Sequence, residues 1–477
     1  MKKKILIIRL GSLGDIVLSS ATVINLKINY PESYIVYFCK EKYCFVVNLI
    51  EGVDEIVTLP DKISGIKYFN FLLKLNKKNF DVVIDLHGNL RSWLARILIS
   101  AGKKVTYPKR RWERILSVKK KILPKFWLHT IDLYNITVKQ LDGKPFCKRP
   151  LLKPAESGLN EDVKLLSRSH SRIIVIAPGA AHSNKQWHIE RFCETAVKLH
   201  RSEKAGIIWA ITDAEKGLLS PVNEIDKSSF LQLIDYPIEK LADIISKASL
   251  TIANDSGITH ISSAVGTPVM AIFGPTHPVL GFAPRGLYDR VIEVEEPCRP
   301  CSLHGKKECY REQRYCFNRI DATNIFNTAS EILKEDVKSK QAVLVDRDGT
   351  IIVDKHFLAD PEMIEFEEGS IDALKIIQEL GYKIVIISNQ SGVARGLINI
   401  QSVEKVNARL MELLIEKQIF VDAFYYCPHF NQGMKSLYSK DCNCRKPSAG
   451  MAEEAAFQFG LNLRKSYVIG DKLDDVN

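Results

Sequence analysis

Two carboxylates at a spacing of two, Asp346 and Asp348 in the run Asp346-Arg347-Asp348-Gly349-Thr350, directly follow the apolar stretch Ala342–Val345. At the end of a strand such a pair can share one Mg²⁺, the first through its side chain and the second through its backbone carbonyl. The second carboxyl is then free to move a proton. That equips phosphoryl transfer, with a nucleophile held by a hard cation and an acid for the leaving group. Alone, the run also reads as a solvated loop, but the residues downstream argue against it. Ser388-Asn389-Gln390-Ser391-Gly392 closes the apolar run Lys383–Ile387 and offers hydroxyl and N–H donors to phosphoryl oxygens. Arg445-Lys446-Pro447 supplies fixed positive charge, and Asp471, after the run Tyr467–Ile469, can complete the metal site. Between them lie Cys427-Pro428-His429 and Cys442-Asn443-Cys444, three thiolates and an imidazole. They form either a closed tetrahedral Zn²⁺ set or a group of reduced loop cysteines. As a closed set, with no position for water, it would be structural and pin the loop carrying Arg445 and Lys446.

The first part of the chain shows its chemistry less openly. Gly11-Ser12-Leu13-Gly14-Asp15 is not a G-x-x-x-x-G-K-[ST] phosphate loop, and an Asp opening a helix is as readily a cap as a catalyst. Ala177-Pro178-Gly179-Ala180 leads to Lys185-Gln186-Trp187, a cation beside a strand-end crevice. Asn254-Asp255-Ser256-Gly257-Ile258-Thr259-His260 ends another strand and starts a helix, where N–H groups and the helix dipole can bind a diphosphate. Phe273-Gly274-Pro275-Thr276 adds one more loop to that crevice. Singly, Asp255 and His260 read as a cap and a surface histidine. Cys298, Cys301, Cys309 and Cys316 fall within a short irregular stretch and leave Zn²⁺, an iron–sulfur cluster or no metal open.

Holding these loops requires strands that end at them. Lys4–Leu10, Ser33–Phe38, Glu55–Leu59 and Asp81–Leu86 read as strands alternating with amphipathic stretches such as Asp15–Asn29. A second set comprises Arg172–Ala177, Gly206–Ile211, Leu250–Ala253 and Val269–Phe273. The pattern predicts two doubly wound α/β domains, residues 1–160 and 161–335, with a cleft between them. A helix over Asp321–Glu335 and a polar linker over Asp336–Gln341 would precede a third α/β domain, 341–477.

The 477 residues are 46% hydrophobic and 26% charged, which excludes a disordered chain. No apolar run approaches the roughly 18 residues of a membrane span. Arg9 cuts the N-terminal apolar run too early for a signal peptide, so a cytoplasmic protein is expected. Residues 341–477 hold 15 Lys and Arg against 20 Asp and Glu, whereas the whole chain carries +11. The front is therefore strongly basic, above all from Lys103 to Lys125, where ten basic residues accompany Glu113. That stretch is either a solvated surface or, with Trp112 and Trp127, a contact for an anionic membrane surface. No nucleic-acid motif accompanies it, so nucleic acid is not an expected partner.

Asp-Arg-Asp-Gly-Thr, Ser-Asn-Gln-Ser-Gly-x-x-Arg-Gly, C-x-H…C-x-C-Arg-Lys-Pro and Gly-Asp-Lys-x-x-Asp, in this order, carry the haloacid-dehalogenase signature. From Ala342 to the chain's end they resemble the D-glycero-D-manno-heptose 1,7-bisphosphate 7-phosphatases, a pattern that histidinol-phosphate phosphatases largely share. The resemblance implies Asp346 as nucleophile and Asp348 as general acid and base. It further implies Asp346, Asp348 and Asp471 on Mg²⁺, and Cys427, His429, Cys442 and Cys444 on Zn²⁺. Substrate contacts would fall on Asp354, Ser388, Asn389, Gln390, Ser391, Arg445, Lys446 and Lys472. The fold normally continues with another helix and strand after the last acidic motif, so the domain is expected to be incomplete at Asn477.

Residues 1 to about 335 resemble the family-9 glycosyltransferases, the ADP-heptose:lipopolysaccharide heptosyltransferases, of two-domain GT-B fold. The resemblance implies Asp15 as the base that deprotonates the acceptor hydroxyl, and Lys185, Asp255, Ser256, Gly257 and His260 as ADP-heptose contacts. It also implies an anionic lipopolysaccharide core as acceptor, met at the cytoplasmic face of the inner membrane. Together the two resemblances imply a bifunctional heptose enzyme. A transferase for another surface glycan fused to a phosphatase of other specificity, or one half acting only as a binding module, are the alternatives.

Overall fold

The computed structural model describes residues 3–121, 129–145, 147–154, 159–213, 215–216, 229–286, 288–339, 341–434, 437–459, 461–463 and 466–476. Part of the basic stretch and Trp127 lie outside them. The chain divides into two compact units, Met1–Leu333 and Lys334–Asn477.

The first unit contains two parallel sheets. Strands β1 (Lys4–Ile8), β2 (Tyr34–Lys40), β3 (Glu55–Leu59), β4 (Val82–Asp85) and β5 (Lys103–Thr106) lie in the order β3-β2-β1-β4-β5. Strands β6 (Arg172–Ala177), β7 (Ala205–Ile211), β8 (Phe230–Ile234), β9 (Leu250–Asn254), β10 (Val269–Ile272) and β11 (Arg290–Ile292) follow in the order β11-β10-β9-β6-β7-β8. The central strands are continuous apolar runs because helices cover both faces of such a sheet. Ile5 to Ile8 and Ile174 to Ile176 are fully buried. In each sheet the winding reverses beside the first strand, between β1 and β4 and between β6 and β9. Loops at the carboxyl ends of strands beside such a reversal form a crevice open to ligands. Asp15 follows β1, Lys185 follows β6 and Asp255 follows β9.

The second unit has one parallel sheet of β12 (Ala342–Asp346), β13 (Lys383–Asn389), β14 (Ala423–Cys427) and β15 (Tyr467–Ile469), ordered β14-β13-β12-β15. Asp346, Ser388, Cys427 and Asp471 all lie at or just beyond the carboxyl ends of these strands, so one end of the sheet gathers the candidate residues.

The region read as a polar linker is largely helical, because the helix Ala322–Ser339 runs through it. Ile325, Ala329, Ile332 and Leu333 bury one face of that helix. No glycine or proline follows before Ser339 to stop it. No helix among the described residues is long and apolar enough to cross a membrane.

Candidate active sites

The helix Leu13–Asn29 begins directly after the β1 turn and places Asp15 in its first turn. The Asp15 carboxylate pairs with the Arg9 guanidinium and accepts hydrogen bonds from the hydroxyls of Ser12 at 3.0 Å and Tyr134 at 3.1 Å. Burial alone would raise the pKa of this carboxyl. The Arg9 charge and the hydrogen bonds outweigh burial and hold it below the usual carboxylate range. Arg9 is itself buried and anchored by a 2.5 Å bond from Nη1 to the Leu86 carbonyl. Neither Arg9 nor Tyr134 was among the expected site residues. Arg9 announces itself as the charge closing an otherwise apolar strand, whereas Tyr134 comes from the helix Thr130–Lys139 and leaves no local signal.

The run Asn254–His260 abuts the turn that carries Asp15. A Cβ placed on Gly14 would stand 2.6 Å from the His260 ring, and one on Gly257 would stand 2.6 Å from the Leu13 side chain. Only glycines let the first turns of these two helices abut. Lys185 Nζ lies 2.6 Å from Asp255 Oδ2, which also accepts a 2.7 Å bond from Thr276. Asp255 therefore orients the lysine that was expected to meet the diphosphate, rather than presenting a free carboxylate. Ser256 Oγ and His260 Nδ1 are buried and have no hydrogen-bond partner among the described residues. Burial lowers the His260 pKa, which favours the neutral ring. Two partnerless polar atoms near a buried carboxylate and an oriented cation form a site that a polar ligand would complete. Bridges join the two lobes around it: Arg285 grips Asp132 at 2.6 and 2.9 Å, and His129 Nε2 lies 2.8 Å from the Ala283 carbonyl.

In the second unit Asp346, Asp471 and Asp475 bring carboxylate oxygens within 4.8 Å of one another. Buried Lys446 pairs with Asp346 and lies 2.5 Å from Asp475. Burial pushes the Asp346 carboxyl up to about 6, against the pull of Lys446. Asp475 was not among the expected ligands, although it stands four residues beyond Asp471 in the short helix Leu473–Val476. Asp348, expected to meet the metal through its backbone carbonyl, keeps its carboxylate out of this cluster, which is compatible with that expectation. That carboxylate is gripped by the buried Arg347 guanidinium at 2.8–3.1 Å, by Gln390 at 2.7 Å and by Ser388 at 3.2 Å. Arg347 is fixed in turn by a 2.7 Å bond to Asn407. Gly349 lies at φ +86°, and a Cβ there would stand 2.6 Å from Asp471 Oδ2, so glycine alone lets the two loops meet.

The other expected contacts divide. Asn389 clamps the Lys446 backbone through bonds of 3.0 and 3.1 Å, and is thus a support for that lysine rather than a free donor. Lys472 bridges Asp354 at 3.1 Å and Asp471 at 3.6 Å. The backbone carbonyl of Ser391 accepts from the Arg395 N–H. The Cys427, Cys442 and Cys444 sulfurs are 3.2–3.5 Å apart, and His429 Nδ1 lies 3.3 Å from Cys444 and 3.6 Å from Cys427. A tetrahedron with metal–sulfur bonds of about 2.3 Å has edges of about 3.8 Å, so the four groups fit Zn²⁺ with little movement. Arg445 ties this cluster to the site by donating to the His429 carbonyl at 3.3 Å.

Comparison with known proteins matches both halves. The model of glycosyltransferase family 9 (heptosyltransferase) matches residues 69–311, and that of polynucleotide kinase 3 phosphatase matches residues 342–474. The D-glycero-beta-D-manno-heptose-1,7-bisphosphate 7-phosphatase of Salmonella typhi is 37% identical over 139 residues, covering 29% of this chain and 74% of that protein. A family 9 glycosyltransferase of Veillonella parvula superposes with a TM-score of 0.54 at 20% identity, over 70% of this chain and 97% of that one. The ADP-heptose LPS heptosyltransferase II of Escherichia coli gives 0.53 at 18% identity, over 71% and 100%. The architecture is thus that of a GT-B glycosyltransferase, two Rossmann-like sheets, followed by a haloacid-dehalogenase-like α/β unit. The chain belongs to glycosyltransferase family 9 and carries, fused behind the transferase, a member of the heptose bisphosphate phosphatase family.

Proposed function

We propose that this chain is a bifunctional enzyme of lipopolysaccharide heptose metabolism. Its front unit transfers heptose from ADP-heptose to an anionic inner-core acceptor. Its back unit hydrolyses the 7-phosphate of D-glycero-D-manno-heptose 1,7-bisphosphate. The observation that carries the reading is that two unrelated catalytic units in one chain resemble enzymes of the same unusual sugar.

In the transferase, Asp15 takes the proton of the acceptor hydroxyl as that oxygen bonds to the anomeric carbon. A carboxylate held ionised by Arg9 is a weak base. Proximity compensates, because the hydroxyl gives up its proton only as the bond forms. Lys185, oriented by Asp255, balances charge on the departing diphosphate, and Ser256 Oγ and His260 Nδ1 gain hydrogen-bond partners on the donor.

In the phosphatase, Asp346 Oδ attacks phosphorus and the sugar oxygen leaves with a proton from Asp348. Water deprotonated by Asp348 then hydrolyses the aspartyl-phosphate. Asp346, Asp471 and Asp475 would hold Mg²⁺, which when bound offsets the charge of the phosphoryl group and of this carboxylate cluster. Lys446, paired with Asp346 and Asp475, and Ser388, bonded to Asp348, would turn to phosphoryl oxygens when substrate binds. Cys427, His429, Cys442 and Cys444 would hold Zn²⁺ as a structural ion for the Arg445–Lys446 loop. The excess of acids over bases in residues 341–477 disfavours a polynucleotide substrate.

The front unit would work at the cytoplasmic face of the inner membrane. Two neighbouring helices, Gly65–Asn76 and Leu90–Leu98, expose apolar stripes: Ile66, Phe69 and Leu73 on one, Leu90, Trp93 and Ile97 on the other. Lys67, Lys74, Arg91 and Arg96 lie along the same helices, and Trp112, 79% exposed, follows in the basic stretch. Apolar stripes turned to solvent among basic residues suit an anionic lipid surface.

Separated knockouts test the reading. Asp346→Asn should abolish phosphate release and leave heptose transfer at the parent rate. Asp15→Asn should lower transfer by on the order of 10²–10⁴-fold while ADP-heptose still binds. Loss of both activities in either variant would contradict independent sites.

A further inference from the structure

Cys298, Cys301, Cys309 and Cys316 are used by neither site. They lie between Pro297 and Ile320, where the one regular element is the four-residue helix Tyr315–Asn318. The stretch is nonetheless packed in place. The buried Arg299 guanidinium donates to the carbonyls of Gly274 at 2.5 Å, Val294 at 2.6 Å and Thr276 at 2.9 Å. The Cys301 N–H donates to the Pro275 carbonyl at 2.8 Å, and Cys316 and Phe317 are buried in the core of the second sheet. All four cysteines are free thiols, and all four line one small cavity of about 20 Å³.

We propose that Cys298, Cys301, Cys309 and Cys316 bind one thiophilic divalent ion, Zn²⁺ or Fe²⁺, in a closed four-thiolate site that orders this loop against the donor crevice. The cavity, about 20 Å³, has room for a single ion. The charge of the surroundings fits as well. A divalent ion with four thiolates carries a net −2, and Lys307, Arg311 and Arg314 line the same cavity. Arg311 Nη1 stands 3.9 Å from the Cys298 sulfur, although Glu296, 2.6 Å from the same nitrogen, already takes part of that charge. Binding displaces the four thiol protons to solvent, and no electron moves.

The sulfurs are not drawn together within 4.8 Å as those of the Cys427 tetrad are. Closing them on an ion therefore requires side-chain rotation around a cavity already present. The loop has reason to be fixed. Gly305, between the second and third cysteines, adopts φ +75°, and a Cβ there would stand 2.2 Å from Lys185 Cγ. The backbone of this loop is the wall on which the donor-site lysine rests.

The test is metal analysis of the full chain, purified without chelator, with the two cysteine sets broken separately. The parent should carry two thiolate-bound ions per chain. Cys298→Ser/Cys301→Ser should lose one of them, and Cys442→Ser/Cys444→Ser should lose the other and keep the first. The same metal content in Cys298→Ser/Cys301→Ser as in the parent would overturn the proposal, whatever happens at the C-terminal tetrad. A second measurement guards against a misfolded variant. The Cys442→Ser/Cys444→Ser chain, with Cys298, Cys301, Cys309 and Cys316 intact, is reconstituted with Co²⁺. Thiolate-to-cobalt charge transfer with tetrahedral ligand-field bands supports the site. No Co²⁺ uptake, or Cys298–Cys301 recovered as a disulfide by mass mapping of the parent, overturns it.

Discussion

Asp15 and Asp346 are both acids at the end of the first strand of their sheets, yet their surroundings give them opposite characters. Asp15 is held ionised by Arg9, Ser12 and Tyr134, whereas Asp346 is pushed towards its protonated form by burial among further carboxylates. Motif spacing singled out both residues, because Asp346 ends a strand and Asp15 opens the helix after one, each among neighbours contiguous in sequence. It did not locate what tunes them. Tyr134 reaches Asp15 from more than a hundred residues away, and Arg9 stands just past the end of β1, ahead of the glycine-bearing turn. Asp475 was missed although the Gly-Asp-Lys-x-x-Asp pattern contains it, because the pattern alone does not say which acid turns inward. Its position next to Lys446 and Asp346 gives a direct expectation. Asp475→Asn should raise the Mg²⁺ concentration for half-maximal phosphate release by on the order of 10–100-fold, with a smaller effect at saturating Mg²⁺. Titration of phosphatase activity with Mg²⁺ measures this, and an unchanged requirement would place the ion elsewhere.

At the scale of elements, the strands expected from the sequence are present, and β5, β8, β11 and β14, which were not expected, all lie at the edges of their sheets. The reason is physical. An edge strand is buried less completely, so its apolar signal is weaker. In β5, Lys-Lys-Val-Thr, Val105 is the one buried residue, and charge on an edge also discourages pairing with another chain. The junction between the two lobes was not legible either, since its groups come from distant loops. His129 there caps the helix Thr130–Lys139 by accepting from the Ile131 N–H while its other nitrogen meets Ala283. Burial, with the nearby Arg285 charge, pushes its pKa from an ordinary 6.5 down to about 3. The unfolded chain therefore binds a proton that the folded chain refuses. The stabilisation is complete above pH 6.5 and is lost progressively as pH falls towards 3. Thermal melts of the front unit's transition should show a midpoint that falls between pH 7 and pH 5, with a shallower fall in His129→Gln. Equal slopes in parent and variant would show that this imidazole is not the titrating group.

Over the whole molecule, the uneven distribution of charge matches the two proposed tasks. On the proposed reading the basic front would meet an anionic lipid-linked acceptor, and the acidic back would handle a small soluble sugar phosphate. Each basic residue close to an anionic membrane is worth about 1 kcal/mol, an attraction that salt screens. The full chain should therefore sediment with vesicles containing anionic lipid, less so at high salt, and Trp93→Asp/Trp112→Asp should weaken that binding. Binding unaffected by salt or by this variant would move the membrane face elsewhere. The fused order of the chain was legible because each unit carries its own complete set of motifs. The sugar is the claim on which both halves depend, so the most direct measurement is phosphate release by this chain, with Mg²⁺, from D-glycero-D-manno-heptose 1,7-bisphosphate beside histidinol phosphate. Release from the heptose bisphosphate, with histidinol phosphate far slower, is the predicted result. Preference for histidinol phosphate, or release from neither, would contradict the heptose account of the back unit and leave the transferase without its strongest support.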